Sequence, residues 1–112
     1  MMYTSYFAKV RRLSNKYCPI SIAQFKPKYF NGEEYREVAP DINTLMEFKE
    51  TLDREKYIKE YKEKLSKLDA SKVLEDINNI ANGKIPVLVC YEVSGEFCHR
   101  HLLREWLNHM VS

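Results

Sequence analysis

The sequence predicts an α/β fold: a small, mainly parallel sheet flanked by helices in a Rossmann-like three-layer arrangement. Three observations carry this expectation. Val87-Leu88-Val89-Cys90-Tyr91 is an unbroken apolar run with no polar alternation. Such a run marks a strand buried on both faces, as in the middle of a parallel sheet. Between Asp41 and Gly83, apolar residues recur at helical spacing. The resulting order of strand, helices, strand and helix is that of α/β proteins. The chain has 112 residues, enough for one domain with one core, so 1–112 is expected to be a single α/β domain.

The elements follow in order. Tyr3 to Ala8 is aromatic and β-prone and reads as a strand. Pro19 to Ala23 is a second, short strand candidate. Lys26 to Gly32 is loop chemistry with a turn at Asn31-Gly32, and the charged run after it favours a plain loop over a hairpin. Pro40-Asp41 opens a helical region, with Asp41 as cap and Leu45, Phe48 and Leu52 on one face. A second helix spans about Arg54 to Leu68, with Tyr57, Ile58, Tyr61, Leu65 and Leu68 as its stripe and its charges solvated. Asp69 or Ser71 caps a third helix whose Val73, Leu74, Ile77 and Ile80 face inward, and Gly83 stands where a helix-ending glycine belongs. After the apolar run, Glu92 to Glu96 is a loop and the last helix runs from about Phe97 to Met110.

Composition narrows the functional classes. Eighteen Lys and Arg against sixteen Asp and Glu give a net charge of +2, which argues neither for nor against a nucleic-acid partner. The charge is unevenly spread. Residues 1–36 carry seven basic and two acidic residues, a local +5, with Tyr17, Phe25, Tyr29 and Phe30 interleaved. That mixture suits phosphate or single-strand contacts, and equally an ordinary solvated surface over an aromatic core. No apolar run approaches the roughly 20 residues that span a bilayer, and the N-terminus is not that of a signal peptide. A cytoplasmic protein without a membrane partner is the expectation. The three cysteines, Cys18, Cys90 and Cys98, are an odd number and do not read as a disulfide framework, so thiols are expected.

The chemistry concentrates in residues 89–101, where a central strand ends and a helix begins. Ligands of open α/β sheets bind beyond the carboxyl ends of the strands, and a helix N-terminus there favours an anion. With Cys98 set to 0° on a helical wheel, Leu102, Leu103, Trp106, Leu107 and Met110 fall between about 40° and 180°. His99 then lies near 100°, inside that face, Arg100 near 200°, at its edge, and His101 near 300°, in solvent. His99 is thus expected to face the sheet near Cys90, with Cys98 in the same crevice and Glu92 and Arg100 at its rim. Each residue has an ordinary alternative. Cys90 and Cys98 can be packing residues, His99 a core histidine bonded to a carbonyl, and Glu92 a surface acid. No metal is expected. There is no Cys-x-x-Cys pair, and His99 and His101 point about 200° apart. Walker A and Gly-x-Gly-x-x-Gly patterns are absent, and no cofactor is implied.

Val-Leu-Val-Cys-Tyr-Glu, a short loop and Cys-His-Arg-His-Leu-Leu-Arg-Glu-Trp-Leu resemble the signature of the domain-of-unknown-function family numbered four hundred and eighty-eight (DUF488). The matching residues are Cys90, Glu92, Cys98, His99 and Arg100. Tyr3-Thr4-Ser5-Tyr6-Phe7 and the Ile20 to Pro27 stretch resemble its short members. The resemblance implies an α/β fold and two characteristic cysteines, and it implies no reaction. Many longer members end the second strand with Asp-Val-Arg, whereas this chain has Ser21-Ile22-Ala23-Gln24-Phe25-Lys26.

Three functions fit these residues. The first is a site for an anionic small molecule or nucleotide. There Arg100 holds the anion, His99 is acid or base, Cys98 or Cys90 is a nucleophile or redox pair, and Glu92 orients. The second is a nucleic-acid module using the basic N-terminal third. The third is a structural or interaction protein whose cysteines are packing. The sequence does not fix the oligomeric state.

Overall fold

The computed structural model of the chain describes residues 3–91 and 99–111. Its four strands, β1 (Tyr3–Tyr6), β2 (Tyr17–Ser21), β3 (Glu33–Glu34) and β4 (Ile85–Cys90), form one parallel sheet in the order β1-β4-β2-β3. Four helices accompany it: α1 (Ile42–Thr51), α2 (Arg54–Ser66), α3 (Ala70–Ala81) and α4 (His99–Val111). The expected α/β class, parallel sheet and central position of the apolar run are all observed.

Side-chain alternation along β4 divides the core. Leu88 and Cys90 join Ile20 and Ile22 under α2, α3 and α4. Val87 and Val89 point to the other face, where Phe7, Ala23 and Phe30 cover them. Phe7 opens a 3₁₀ helix, Phe7–Arg12, where the sequence reading extends the first strand to Ala8. Phe7 therefore turns under the sheet and packs edge-on against Phe30, with ring centroids 5.0 Å apart. The second strand lies two residues earlier than expected. β4 begins one residue before Pro86, so the proline occupies the start of a central strand, where its missing N–H interrupts the ladder least. β3 is a finding of the structure. Two acids after Gly32 pair in parallel with Ile20 and Ser21, so the Asn31-Gly32 turn makes no hairpin.

The helices follow their local signals with two exceptions: Leu52, expected on the apolar face of the first helix, instead ends α1 in the left-handed region with its side chain exposed, and the cap of α1 is exchanged. The Asp53 carboxylate accepts from the Lys56 amide at 3.2 Å, and Asp69 accepts from Ser71 and Lys72 at 3.0 and 3.4 Å. Asp41 holds the cap position of α1 without capping it. Lys64, reaching over from α2, takes that carboxylate at 2.9 Å instead. Tyr57, Tyr61 and Leu65 of the α2 stripe are buried, as are Val73 and Ile77 of α3. Ile58 lies on the outer side of α2, among Glu55, Lys59 and Lys62. Asn82 and Gly83, with φ of 49° and 88°, end α3 in the left-handed region. Among the described residues, no helix is long and apolar enough to cross a membrane.

Candidate functional site

β4 and β2 run side by side and in the same direction, so their carboxyl ends open together. The chain leaves β2 through Ala23, Gln24 and Phe25, and leaves β4 at Cys90 and Tyr91. A cavity of about 270 Å³ lies there. Its floor is Cys90 and His99. Its far wall comes from Pro40, from Leu45 and Lys49 of α1, and from Tyr57 of α2. Phe25 and Tyr91 stand half exposed at its mouth. A larger hollow, about 550 Å³, runs along α2, but a single helix lines it and neither cysteine nor histidine stands in its lining.

His99 is the first residue of α4 and is buried. Its Nε2–H donates to the Ile22 carbonyl at 2.7 Å. A carbonyl only accepts, so the proton sits on Nε2, and Nδ1 carries the lone pair when the ring is neutral. The ring also meets Tyr61 edge-on at 5.4 Å. Burial pushes its pKa down to about 4; the Ile22 carbonyl opposes the fall, while the Arg100 and Lys64 charges add to it. At neutral pH His99 is therefore an uncharged imidazole. Tyr61 is fixed in turn by its hydroxyl, which donates to the Val38 carbonyl at 2.6 Å.

Arg100 is not at the rim. It is 1% exposed, and its Nη1 lies 3.2 Å from Cys90 Sγ. Its guanidinium also lies 5.9 Å from the Tyr6 ring centroid, within cation–π range. The helical wheel places Arg100 at the edge of the α4 stripe. That edge is covered because α4 begins over both β1 and β4, where Tyr6 and Cys90 stand in register. Leu103 and Leu107 are buried and His101 is exposed, as their phases predict.

Cys90 is disulfide-bonded rather than a thiol. The free cysteine is Cys18. Its register partner is Pro86, four residues before Cys90 on β4. At roughly 3.3 Å per residue, the two lie too far apart to be bridged. Burial pushes the Cys18 thiol up, Glu33 adds to the rise and Lys84 opposes it. Glu92 and Cys98, the other two residues expected here, lie outside the described residues.

The structure thus brings Cys90, His99 and Arg100 together at the carboxyl end of the sheet. The cavity walls are not foreseen by the sequence reading. Gln24 draws notice there only as part of a departure from Asp-Val-Arg, Phe25 also as an aromatic of the basic N-terminal third, Tyr57 only as helix stripe, and Lys49 not at all. Gln24 donates its amide to the Pro40 carbonyl at 3.2 Å, which ties the segment after β2 to the start of α1. A family model described as "Active DUF488-N3 subclade", DUF488-N3a, matches residues 7–111. No curated protein and no solved structure matches the chain.

Proposed function

The chain belongs to the DUF488-N3 subclade, and from that premise we propose that its crevice binds an anionic small molecule of the nucleotide class. The observation that carries the reading is the common cavity of Cys90 and His99, walled by aromatic residues at the carboxyl ends of β2 and β4. Small-molecule sites run from roughly 300 Å³ upward, so this one suits a nucleobase or nucleoside unit, not a dinucleotide. Phe25, Tyr57 and Tyr91 offer ring faces to a base, and Lys49 offers a cation to a phosphate. His99 is suited to accept a proton or hydrogen bond at Nδ1. Cys90, Cys98 and Glu92 complete the chemical set, with Cys98 the resolving partner of Cys90 and Glu92 the orienting acid. Arg100 is assigned to the sulfur it touches, and the ligand's charge to Lys49.

The basic N-terminal third supports a nucleic-acid partner less well. Glu34 of β3 pairs with both Lys26 and Arg36, at 3.5 and 3.1 Å, and so offsets part of that charge. The test is a thermal-shift and calorimetric titration with nucleoside mono- and diphosphates, inorganic phosphate and a single-stranded oligonucleotide. A free nucleotide should bind wild type and be weakened about tenfold or more by Tyr91→Ala, since one stacked base is worth about 1–3 kcal/mol. Binding of the oligonucleotide alone, or no binding of any nucleotide at millimolar concentration, would overturn the reading.

A further inference from the structure

We infer that Cys90, once reduced, is a thiolate at neutral pH whose counter-cation is the buried Arg100, with His99 taking no part in its ionisation. The inference deepens the role given to Cys90 above. Its readout needs no nucleotide, so the two readings fail separately.

The geometry carries it. Cys90 closes β4 and Arg100 stands one residue into α4, and both are 1% exposed. The guanidinium Nη1 points at Sγ from 3.2 Å, within the range of a hydrogen bond to sulfur. A guanidinium does not lose its proton in a protein, so this charge is permanent. A cation held out of water favours any neighbouring group that can become an anion, and a thiol at that distance is such a group. The step is a simple ionisation. The S–H bond breaks, its electron pair stays on sulfur beside Nη1, and the proton goes to solvent buffer through the cavity.

Among the described residues, the other groups around Cys90 do not supply the charge. His99 commits its Nε2–H to Ile22, and burial keeps the ring neutral, so it provides no imidazolium to pair with sulfur. Tyr6 from β1 offers its ring face to Arg100, which helps to hold the guanidinium in place. Tyr57 of α2 and Tyr91 line the cavity, and burial pushes the Tyr91 phenol further from ionisation. Lys49 of α1 puts a cation on the cavity wall, whereas Arg100 meets the sulfur from outside that lining. This differs from a cysteine–histidine pair, where the thiolate depends on a charged ring. Arg100 is here a positioning residue that acts through sulfur.

The experiment uses the full chain, reduced with a phosphine. Iodoacetamide alkylation is followed from pH 5 to 10, and each cysteine is resolved by peptide mass spectrometry. Cys18 serves as the reference within the same molecule. Cys90 should titrate below pH 7, at least about one and a half units under the ordinary value of about 8.5. Arg100→Met should return that midpoint toward the ordinary value of about 8.5, slowing alkylation at pH 7 about tenfold or more relative to the plateau rate. Arg100→Lys should restore part of the shift, and His99→Gln should leave it unchanged. A merely structural role for Arg100 would alter access and hence the plateau, not the midpoint. A Cys90 midpoint at or above about 7 in the wild type overturns the inference without any variant, should Arg100→Met fail to fold. So does a low midpoint that His99→Gln abolishes.

Discussion

The buried imidazole of His99 should make the fold's stability fall with acid in a way one substitution removes. An exposed histidine titrates near 6.5, and burial takes His99 to about 4. Above pH 6.5 the ring is neutral in both folded and unfolded chains, and its contribution is fully present. As pH falls, the unfolded chain takes up the proton first, because the folded chain's pKa is the lower one. Stability is therefore lost between about 6.5 and 4, and below 4 both states are protonated and the loss stops. At about 1.4 kcal/mol per unit, the full shift is worth roughly 3 kcal/mol, of which about 2 kcal/mol is lost by pH 5. His99→Gln keeps an N–H that can reach the Ile22 carbonyl but cannot titrate. Urea denaturation of the oxidised protein, followed by circular dichroism from pH 7.5 to 4.5, compares the two. The rest of the chain is identical in the two proteins and cancels in the difference. Wild type should lose about 2 kcal/mol more than His99→Gln by pH 5. Parallel curves would mean that His99 is solvated or charged in the folded state, and the neutral-ring reading would fall with them.

Two further substitutions test the frame around the site. Tyr61→Phe removes the hydroxyl that meets the Val38 carbonyl at 2.6 Å and leaves a buried acceptor unmet, which should cost about 1–3 kcal/mol in urea denaturation. Gly32→Ala would set a methyl 2.5 Å from Phe30 Cζ and 2.9 Å from the Pro19 carbonyl oxygen. The ring is packed against Phe7 and the carbonyl belongs to a central strand, so neither yields freely, and a loss of about 1–3 kcal/mol is expected. An alanine variant as stable as wild type would show that this loop does not pack as described.

What the sequence discloses of the fold depends on whether burial is written into one segment or shared among several. Residues 87–89 are apolar at every position because both sheet faces are covered, so their central place is legible from the run itself. Glu33-Glu34 carries no such mark. Its strand is two residues long, lies at the sheet edge and is made by backbone pairing to Ile20 and Ser21, which acids do not announce. Asp41 shows the same limit at a helix start. The residue type fits a cap, but Lys64, 23 residues further on, takes the carboxylate.

The site divides along the same line, and Arg100 shows why. A helical wheel sees one helix against one flat partner, and on it Arg100 is an edge residue. The first turn of α4 meets two strands at once, so the buried arc is wider than the apolar stripe and takes in a charged residue. Tyr6 faces the guanidinium and Cys90 offers it a sulfur, the first from a strand at the far end of the chain and the second from the strand just before α4. The cost of holding a cation there is offset only if its surroundings include negative charge or strong acceptors. His99 cannot serve, being a donor to Ile22 on one nitrogen and neutral as a whole. The adjacent His-Arg pair at the start of α4 thus divides its work: the histidine fastens the helix to the end of β2, and the arginine turns its charge toward the end of β4.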